Sequence, residues 1–361
     1  MRFQRIAYLH FAKRSIDERP AAFNLASSGM EAASSADIGL DPPVVLPIAG
    51  SNAFGHPRLR ARLAEFLGAS PERVLLAQGA SLANFLVMAA VLRAGDRALC
   101  ERPVYEPLLR VLEALDARVS FFDRDPARGF APDLDAIRRG LAAGARLVVL
   151  TDLHNPSAAL LDRETVREIG ALVRRHDAFA LVDEVYLSGV FDRSVESAAR
   201  LGERLIVTAS LTKTFGLGPL RAGWAIAPPE VVARAQDVLD HLGVEPPFLA
   251  DEVALRALDR IDSLRERARA RREANWPIVR AFIEARGLRF ADPAGGFVAW
   301  LALPHGADAE VFAARLRERR DTQVTPGSFF GVRDHVRIGF GGPTDVLKEG
   351  LRRFGAELDL L

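Results

Sequence analysis

From Pro71 to about Pro228, short apolar runs alternate with longer stretches whose apolar positions recur at helical spacing. The runs are "RVLLAQ", "RALCE", "ARVSFF", "RLVVLT", "FALVDE", "RLIVTAS" and "AGWAIA". The helical patterns between them include Ser81 to Leu92, Tyr105 to Leu115, Leu134 to Leu141 and Thr165 to His176. A run apolar at every position has both faces buried, and helices between such strands imply crossover connections. The pattern predicts an α/β body with a mainly parallel seven-stranded sheet flanked by helices. After Pro229 the pattern changes. A charged helical stretch, "LDRIDSLRERARARREANW", leads to the short-strand segments "GGFVAWLAL", "DTQVTPGSFF" and "HVRIGFGG". This predicts a large domain over 46–245 and a smaller α+β domain over 1–45 and 246–361, with the Arg-rich helix as a solvated bridge.

Composition narrows the class. Lys plus Arg (48) and Asp plus Glu (47) nearly cancel in 361 residues, and no basic block is interleaved with aromatics. Nucleic acid and anionic lipid are therefore not expected as partners. No apolar run approaches the roughly 20 residues of a membrane-spanning helix, so no membrane role is expected. The single cysteine, Cys100, cannot form an intrachain disulfide and reads as a buried strand thiol, which fits the cytoplasm. The first twenty residues are basic but lack the apolar core and cleavage site of a secretory signal. They are expected to dock on the body as an amphipathic segment.

In a parallel sheet, ligands gather at the carboxyl ends of the strands. Here those ends read "QGAS", "ERPVY", "TDLHNP", "VDEVY" and "TASLTK". No dinucleotide fingerprint and no phosphate-binding GKS-type loop accompanies them. The histidines at 10, 56, 154, 176, 241, 305 and 335 have no metal-site spacing, so no metal is expected. Ser210-Leu-Thr-Lys213 matches the S-x-x-K of penicillin-recognising hydrolases, but S-D-N and K-T-G are absent. The strand ends instead offer one ligand an amine (Lys213), a carboxylate (Asp183), a phenol (Tyr186), an amide (Asn155) and a cation (Arg221). Pyridoxal phosphate uses all five: its aldehyde takes a lysine, its ring nitrogen a carboxylate, and its phosphate wants arginine, hydroxyls and helix N-terminal amides.

These motifs, in order from about Phe23 to Phe340, resemble the class I/II aminotransferases, the fold type I pyridoxal-phosphate enzymes. "SLTKTFGLGPLRAGW" is similar to the family's lysine motif, which implies Lys213 as the Schiff-base residue and Ser210 and Arg221 as phosphate ligands. "HNPSA" resembles the Asn-Pro-Thr-Gly box and sets Asn155 against the ring hydroxyl; "VDEVY" implies Asp183 on the ring nitrogen and Tyr186 on the same hydroxyl. Gly79, Ala80 and Ser81 fall where backbone amides cradle the phosphate, and Tyr105 where an aromatic ring stacks on the cofactor. Arg337, with Asn155 and Gly29, falls on the substrate side, where the α-carboxylate is held.

Each residue also has a plainer reading. A lysine after a strand is commonly a surface residue, Asp183 could cap a helix, Asn155 before Pro156 could form only a turn, and Tyr105 and Tyr186 could simply pack. Arg337 could pair with a local acid, and Ser81 and Ser210 could merely begin helices. His154 reads as structural. The resemblance implies transamination between an L-amino acid and a 2-oxo acid, with a C–S lyase, decarboxylase, racemase or cyclase reaction, or a cofactor-binding protein without turnover, as alternatives. It also implies a homodimer. One carboxylate-binding arginine and no clear second cation favour a neutral or apolar donor. Two departures matter: Ala158 replaces a usual glycine, which predicts a different backbone path there, and Phe54 occupies the place of a tyrosine that often reaches the partner's phosphate. Phe329 and Phe330 read equally as substrate entrance or core.

Overall fold

The computed structural model describes residues 3–16, 18 and 20–361. Its main sheet has the order Val74–Gln78, Ala222–Ile226, Leu205–Ser210, Phe179–Asp183, Ala145–Thr151, Arg97–Arg102, Arg118–Asp125 and Ala131–Pro132. The first seven are the expected runs. Pairing is parallel from Leu205–Ser210 through to Arg118–Asp125, and Ala222–Ile226 lies antiparallel between its two neighbours. The eighth strand is an unexpected antiparallel pair of residues, too short to leave a periodic signal.

Alternate side chains of each strand feed opposite cores, as the two-residue period of a strand requires. Leu99, Val148, Leu150, Ala180, Val182, Leu205 and Val207 lie in one core, with Val166, Ile169 and Val173 of helix Arg163–Arg175. Cys100, Leu147, Val149, Leu181 and Ile206 lie in the other, with Leu86, Val87 and Met88 of helix Gly79–Val91. The Cys100 thiol is buried there, and burial pushes its pKa well up, so it is inert packing.

The parallel pairing also sets the strand ends side by side. Thr151 is paired with Asp183, and Asp183 with Thr208. Gln78 is paired with Ala222, and Gly223 with Ser210, so the start of helix Gly79–Val91 lies at the same edge.

A four-stranded antiparallel sheet, in the order Phe290–Ala291, Val298–Ala302, His335–Gly339, Thr325–Pro326, forms a third core with helices Ala309–Arg320 and Thr344–Leu358. Arg337 sits in its middle, in register with Trp300 on one side and Thr325 on the other.

The Arg-rich segment, helix Ile261–Ala285, differs from expectation. One side is not simply solvated: Arg265 donates to the carbonyls of Ser188 and Val190, Arg267 to Glu31 and Ala32, Arg271 to Gly342, and Arg272 to Pro293 and Gly296. These loops have carbonyls left over from regular pairing, and a guanidinium with five donors on a long stem can reach them. The N-terminal segment docks as expected, as helix Ala7–Ile16. Its first amides, of Ala7 and Tyr8, donate to the Glu106 carboxylate at 3.1 and 2.7 Å, an acid at the positive end of the helix.

Candidate active site

Lys213 follows strand Leu205–Ser210 in a loop held by the N-terminal segment. The Met30 amide donates to the Lys213 carbonyl at 2.7 Å. Gly29 makes this passage possible, since a Cβ there would lie 3.1 Å from the same carbonyl and 3.2 Å from the Lys213 Cα. The Lys213 ammonium donates to Ser28 Oγ at 3.1 Å.

Asp183 ends its strand fully buried. Asn84 Nδ2 donates to its Oδ2 at 2.8 Å and the Val185 amide to its Oδ1 at 3.1 Å; Thr208 in turn donates to Asn84 Oδ1 at 2.6 Å. Thus Thr208 orients Asn84, and Asn84 orients the carboxylate. Among the described residues no ion pair includes Asp183. Burial pushes its pKa up, against the Asn84 and Val185 hydrogen bonds and the Lys213 charge. A carboxylate so placed is set to receive a cationic N–H.

At the start of helix Gly79–Val91, Gly79 has φ +82, and a Cβ there would collide with the Arg221 guanidinium. On the neighbouring strand, a Cβ on Gly223 would run into the Gly79 backbone. The glycines let Arg221 lie against the helix start, where it donates to the Gln78 carbonyl at 3.2 Å. Gln78 supplies no side-chain cap, so the first amides keep their donors free. Arg221 has no acidic partner among the described residues. Free amides, the positive helix end and a guanidinium make an anion cradle. Ser81 lies exposed in the first turn, and Ser210 Oγ accepts from the Thr212 amide at 3.3 Å.

The Arg337 guanidinium is fully buried. It donates from Nη1 to Asn155 Oδ1 at 2.8 Å and from Nη2 to the Tyr8 hydroxyl at 2.9 Å, while Nε has no partner. It lies 5.1 Å from the Phe330 ring centroid and 5.5 Å from that of Tyr8. Burial works against its charge, but the phenols of Tyr8, Tyr186 and Tyr105 outweigh it, and the group stays cationic. None of the ion pairs among the described residues includes it. Arg337 is a buried cation without an anion, which disposes of a local acid as its partner.

Tyr105 stands at the start of helix Glu106–Ala114, its ring 5.5 Å from Tyr8 at an edge-on 77°. Tyr186 is buried against Leu153 and Val190. The charges of Tyr186, Asp183 and Arg337 all act on the Tyr105 phenol, so these strand ends share one cluster. Phe330 proves to be core, stacked edge-on against Trp300, while Phe329 is half-buried against Tyr8 and Phe11. His154 is structural: its ring pairs with Ser157 Oγ at 2.7 Å and the Pro103 carbonyl at 3.1 Å, and burial holds its pKa well down. Ala158 corrects an expectation. Instead of avoiding the conformation that glycine favours, it adopts it, with φ +58, and its amide donates to the His154 carbonyl at 2.6 Å.

Sequence reasoning missed Tyr8, Ser28, Asn84 and Thr208. Only Tyr8 left a signal: the chain has three tyrosines, and the other two were already marked.

The family model for aminotransferase class I and II matches residues 50–354. Capreomycidine synthase of Streptomyces vinaceus is 30% identical over 315 residues, 85% of this chain and 80% of that protein. An arginine–pyruvate transaminase of Pseudomonas aeruginosa is 30% identical over 315 residues, 83% of this chain and 79% of that protein. Among solved structures, the PLP-dependent cyclase OrfR is similar at a TM-score of 0.87 and 26% identity, covering 100% of this chain and 98% of the other.

Proposed function

Because this chain belongs to the class I and II aminotransferases, a family dependent on pyridoxal phosphate, we propose that it moves an amino group between an L-amino acid and a 2-oxo acid. What carries the reading is a pair of buried, opposite and unpaired charges, Asp183 and Arg337, in one cluster with the Lys213 amine. The residues fit the cofactor. The helix start Gly79–Ala80–Ser81, with Arg221 and Ser210, would hold its phosphate; Asp183 its ring nitrogen; Tyr186 and Asn155 its ring hydroxyl; Tyr105 its face; and Lys213 would hold it covalently.

When bound, the group supplies an aldehyde for amines and a ring that accepts electrons from a bond broken at the substrate Cα. The protein does the rest. Arg337 fixes the substrate carboxylate, aided by Asn155 and the close passage at Gly29. The Lys213 amine, a base when unprotonated, removes the proton from Cα and returns it. Ser28 Oγ receives the ammonium when it is protonated. Asp183, oriented by Asn84, offers negative charge where the ring nitrogen carries its proton.

A second reading, another reaction at the same Cα such as cyclisation, is favoured by capreomycidine synthase being as similar to this chain as the transaminase is. A screen of amino donors and 2-oxo acids on cofactor-loaded protein separates the two. Transamination yields a new 2-oxo acid and a new amino acid in equal amounts, whereas cyclisation leaves the nitrogen in the product. No spectral response to any amino acid leaves only a binding protein.

The reading extends to a homodimer in the cytoplasm. Val45, Ile48 and Phe54 are 96%, 82% and 71% exposed, and Leu242, Val244 and Leu249 add to them. The two segments adjoin, Asn52 donating to the Pro246 carbonyl and His56 pairing with Glu252 at 2.8 Å. Such an apolar patch suits a second copy of the chain. Light scattering checks it, with Val45→Asp expected to shift the mass toward one subunit. Among the described residues no helix is long and apolar enough to cross a membrane. The division into 46–245 and 1–45 with 246–361 is part of the same proposal, and limited proteolysis should cut first in the exposed turn near 243.

A further inference from the structure

Tyr8 lies 329 positions from Arg337 in the chain, yet its hydroxyl accepts from Arg337 Nη2 at 2.9 Å. Ser28, which accepts from the Lys213 ammonium at 3.1 Å, lies beside the same phenol and helps to lower its pKa. The Arg337–Tyr8 and Lys213–Ser28 pairs thus meet around one phenol. The Tyr8 ring meets Tyr105 and Phe329 edge-on, at 5.5 and 5.8 Å, so its place is fixed by packing as well as by its hydroxyl. Its helix is held in turn by Glu106, whose carboxylate accepts from the Ala7 and Tyr8 amides and pairs with Arg110 at 3.0 Å. Of the five guanidinium donors of Arg337, Asn155 and Tyr8 each take one. Those two bonds leave Nε and the remaining hydrogens for a ligand.

We propose that Tyr8 is a positioning residue of the substrate-carboxylate site: its phenol fixes the Arg337 guanidinium beside the Lys213 amine. The N-terminal helix then takes part in holding the amino-acid substrate. The proposal rests on Arg337 being the carboxylate holder. It has a pH consequence. Burial raises the Tyr8 pKa, but the charges of Arg337 and Lys213, with the hydrogen bond from Arg337 and the nearby Ser28 hydroxyl, outweigh it and bring the group below its ordinary value. The groups facing it are Arg337 on strand His335–Gly339, Lys213 in its loop, Tyr105, and Glu106 at the backbone. A phenolate at Tyr8 neutralises Arg337, so the substrate carboxylate binds more weakly as Tyr8 ionises.

The test compares the wild-type holoenzyme with Tyr8→Phe, which keeps the ring and deletes the hydroxyl, using whichever amino donor the screen finds. The KM of the donor is expected to rise about 10-fold, the loss of one hydrogen bond to a charged group. The kcat should change less than about 3-fold, and the cofactor absorption should be unaltered. The alkaline rise of donor KM expected of the wild type should be absent from the variant. In ultraviolet titration, which needs no turnover, the variant should lack a phenol that ionises below the ordinary tyrosine range. An unchanged KM, or equal loss of cofactor and of kcat, overturns the proposal. If Tyr8→Phe folds poorly, Glu106→Gln loosens the helix without touching the site, and it too must raise KM. Arg337→Lys distinguishes the failures. If it raises KM and Tyr8→Phe does not, only the role of Tyr8 falls; if it does not, the reading beneath falls with it.

Discussion

The two ends of the site are built differently. At the proposed cofactor end, Asp183, Lys213, Arg221 and the helix start at Gly79 all come from adjacent strand ends of one sheet, Arg221 at the start of its antiparallel strand, so the sheet topology assembles them. At the proposed substrate end, Arg337 comes from the small sheet, Asn155 from a loop of the large one and Tyr8 from the N-terminal helix. Each end buries one charge without a counter-ion, and the two charges behave differently. Asp183 stands against burial with neutral donors, and its pKa rises. Arg337 is sustained by surrounding phenols and stays charged. On the proposed reading, Asp183 offers its negative charge to the cationic N–H it meets, whereas an end that catches a passing anion keeps its charge throughout.

The sharpest way to break this contrast is at the amine. Lys213→Ala should cut amino transfer by about 10⁴-fold, the upper range for a positioned acid–base group, and abolish covalent cofactor absorption; turnover within tenfold of wild type would end the assignment. Next come the two buried charges. Arg337→Met should lower kcat/KM by about 10²–10³-fold, roughly 3–4 kcal/mol, with the cofactor spectrum intact. Asp183→Asn should lower kcat by about 10²-fold or more while perturbing that spectrum. If both variants changed the same observable, the division into two ends would be wrong.

A smaller effect compares Asp183 with its neighbour Glu184, whose carboxylate accepts from Ser197 Oγ and the Ala198 amide, both at 2.6 Å. Burial, against those bonds, pushes the Glu184 pKa to about 8. Because the folded state holds this proton more tightly than the unfolded chain, stability is full below the ordinary carboxylate range and is lost as pH rises toward about 8. Each such proton contributes a slope of about 1.4 kcal/mol per pH unit at most. Glu184→Gln should flatten the decline in denaturant titrations between these limits, and an unchanged slope would reject this origin. The smallest change is Ala158→Gly, which relieves the left-handed alanine and should stabilise the protein by about 0.5–1 kcal/mol after the entropy of glycine is deducted.

The seven long strands were legible because each is apolar at nearly every position, and the cofactor end because its residues close those strands in a readable order. Ala158 was misread since sequence carries no φ, and the Arg-rich helix since charge alone does not distinguish solvent from a loop carbonyl. Asn84 was hidden as a polar residue in a largely apolar helix, and only the packing of that helix on the sheet brings it to Asp183.

Sequence by itself therefore determined the sheet, the cofactor motif and the family, all of which depend on local periodicity and on residues a few positions apart. Tertiary structure alone decided that Tyr8 shares a guanidinium with Asn155. Hydrogen bonds act over about 3 Å whatever the separation along the chain, and nothing in a string of residues marks which distant pair the folded chain will bring within that reach.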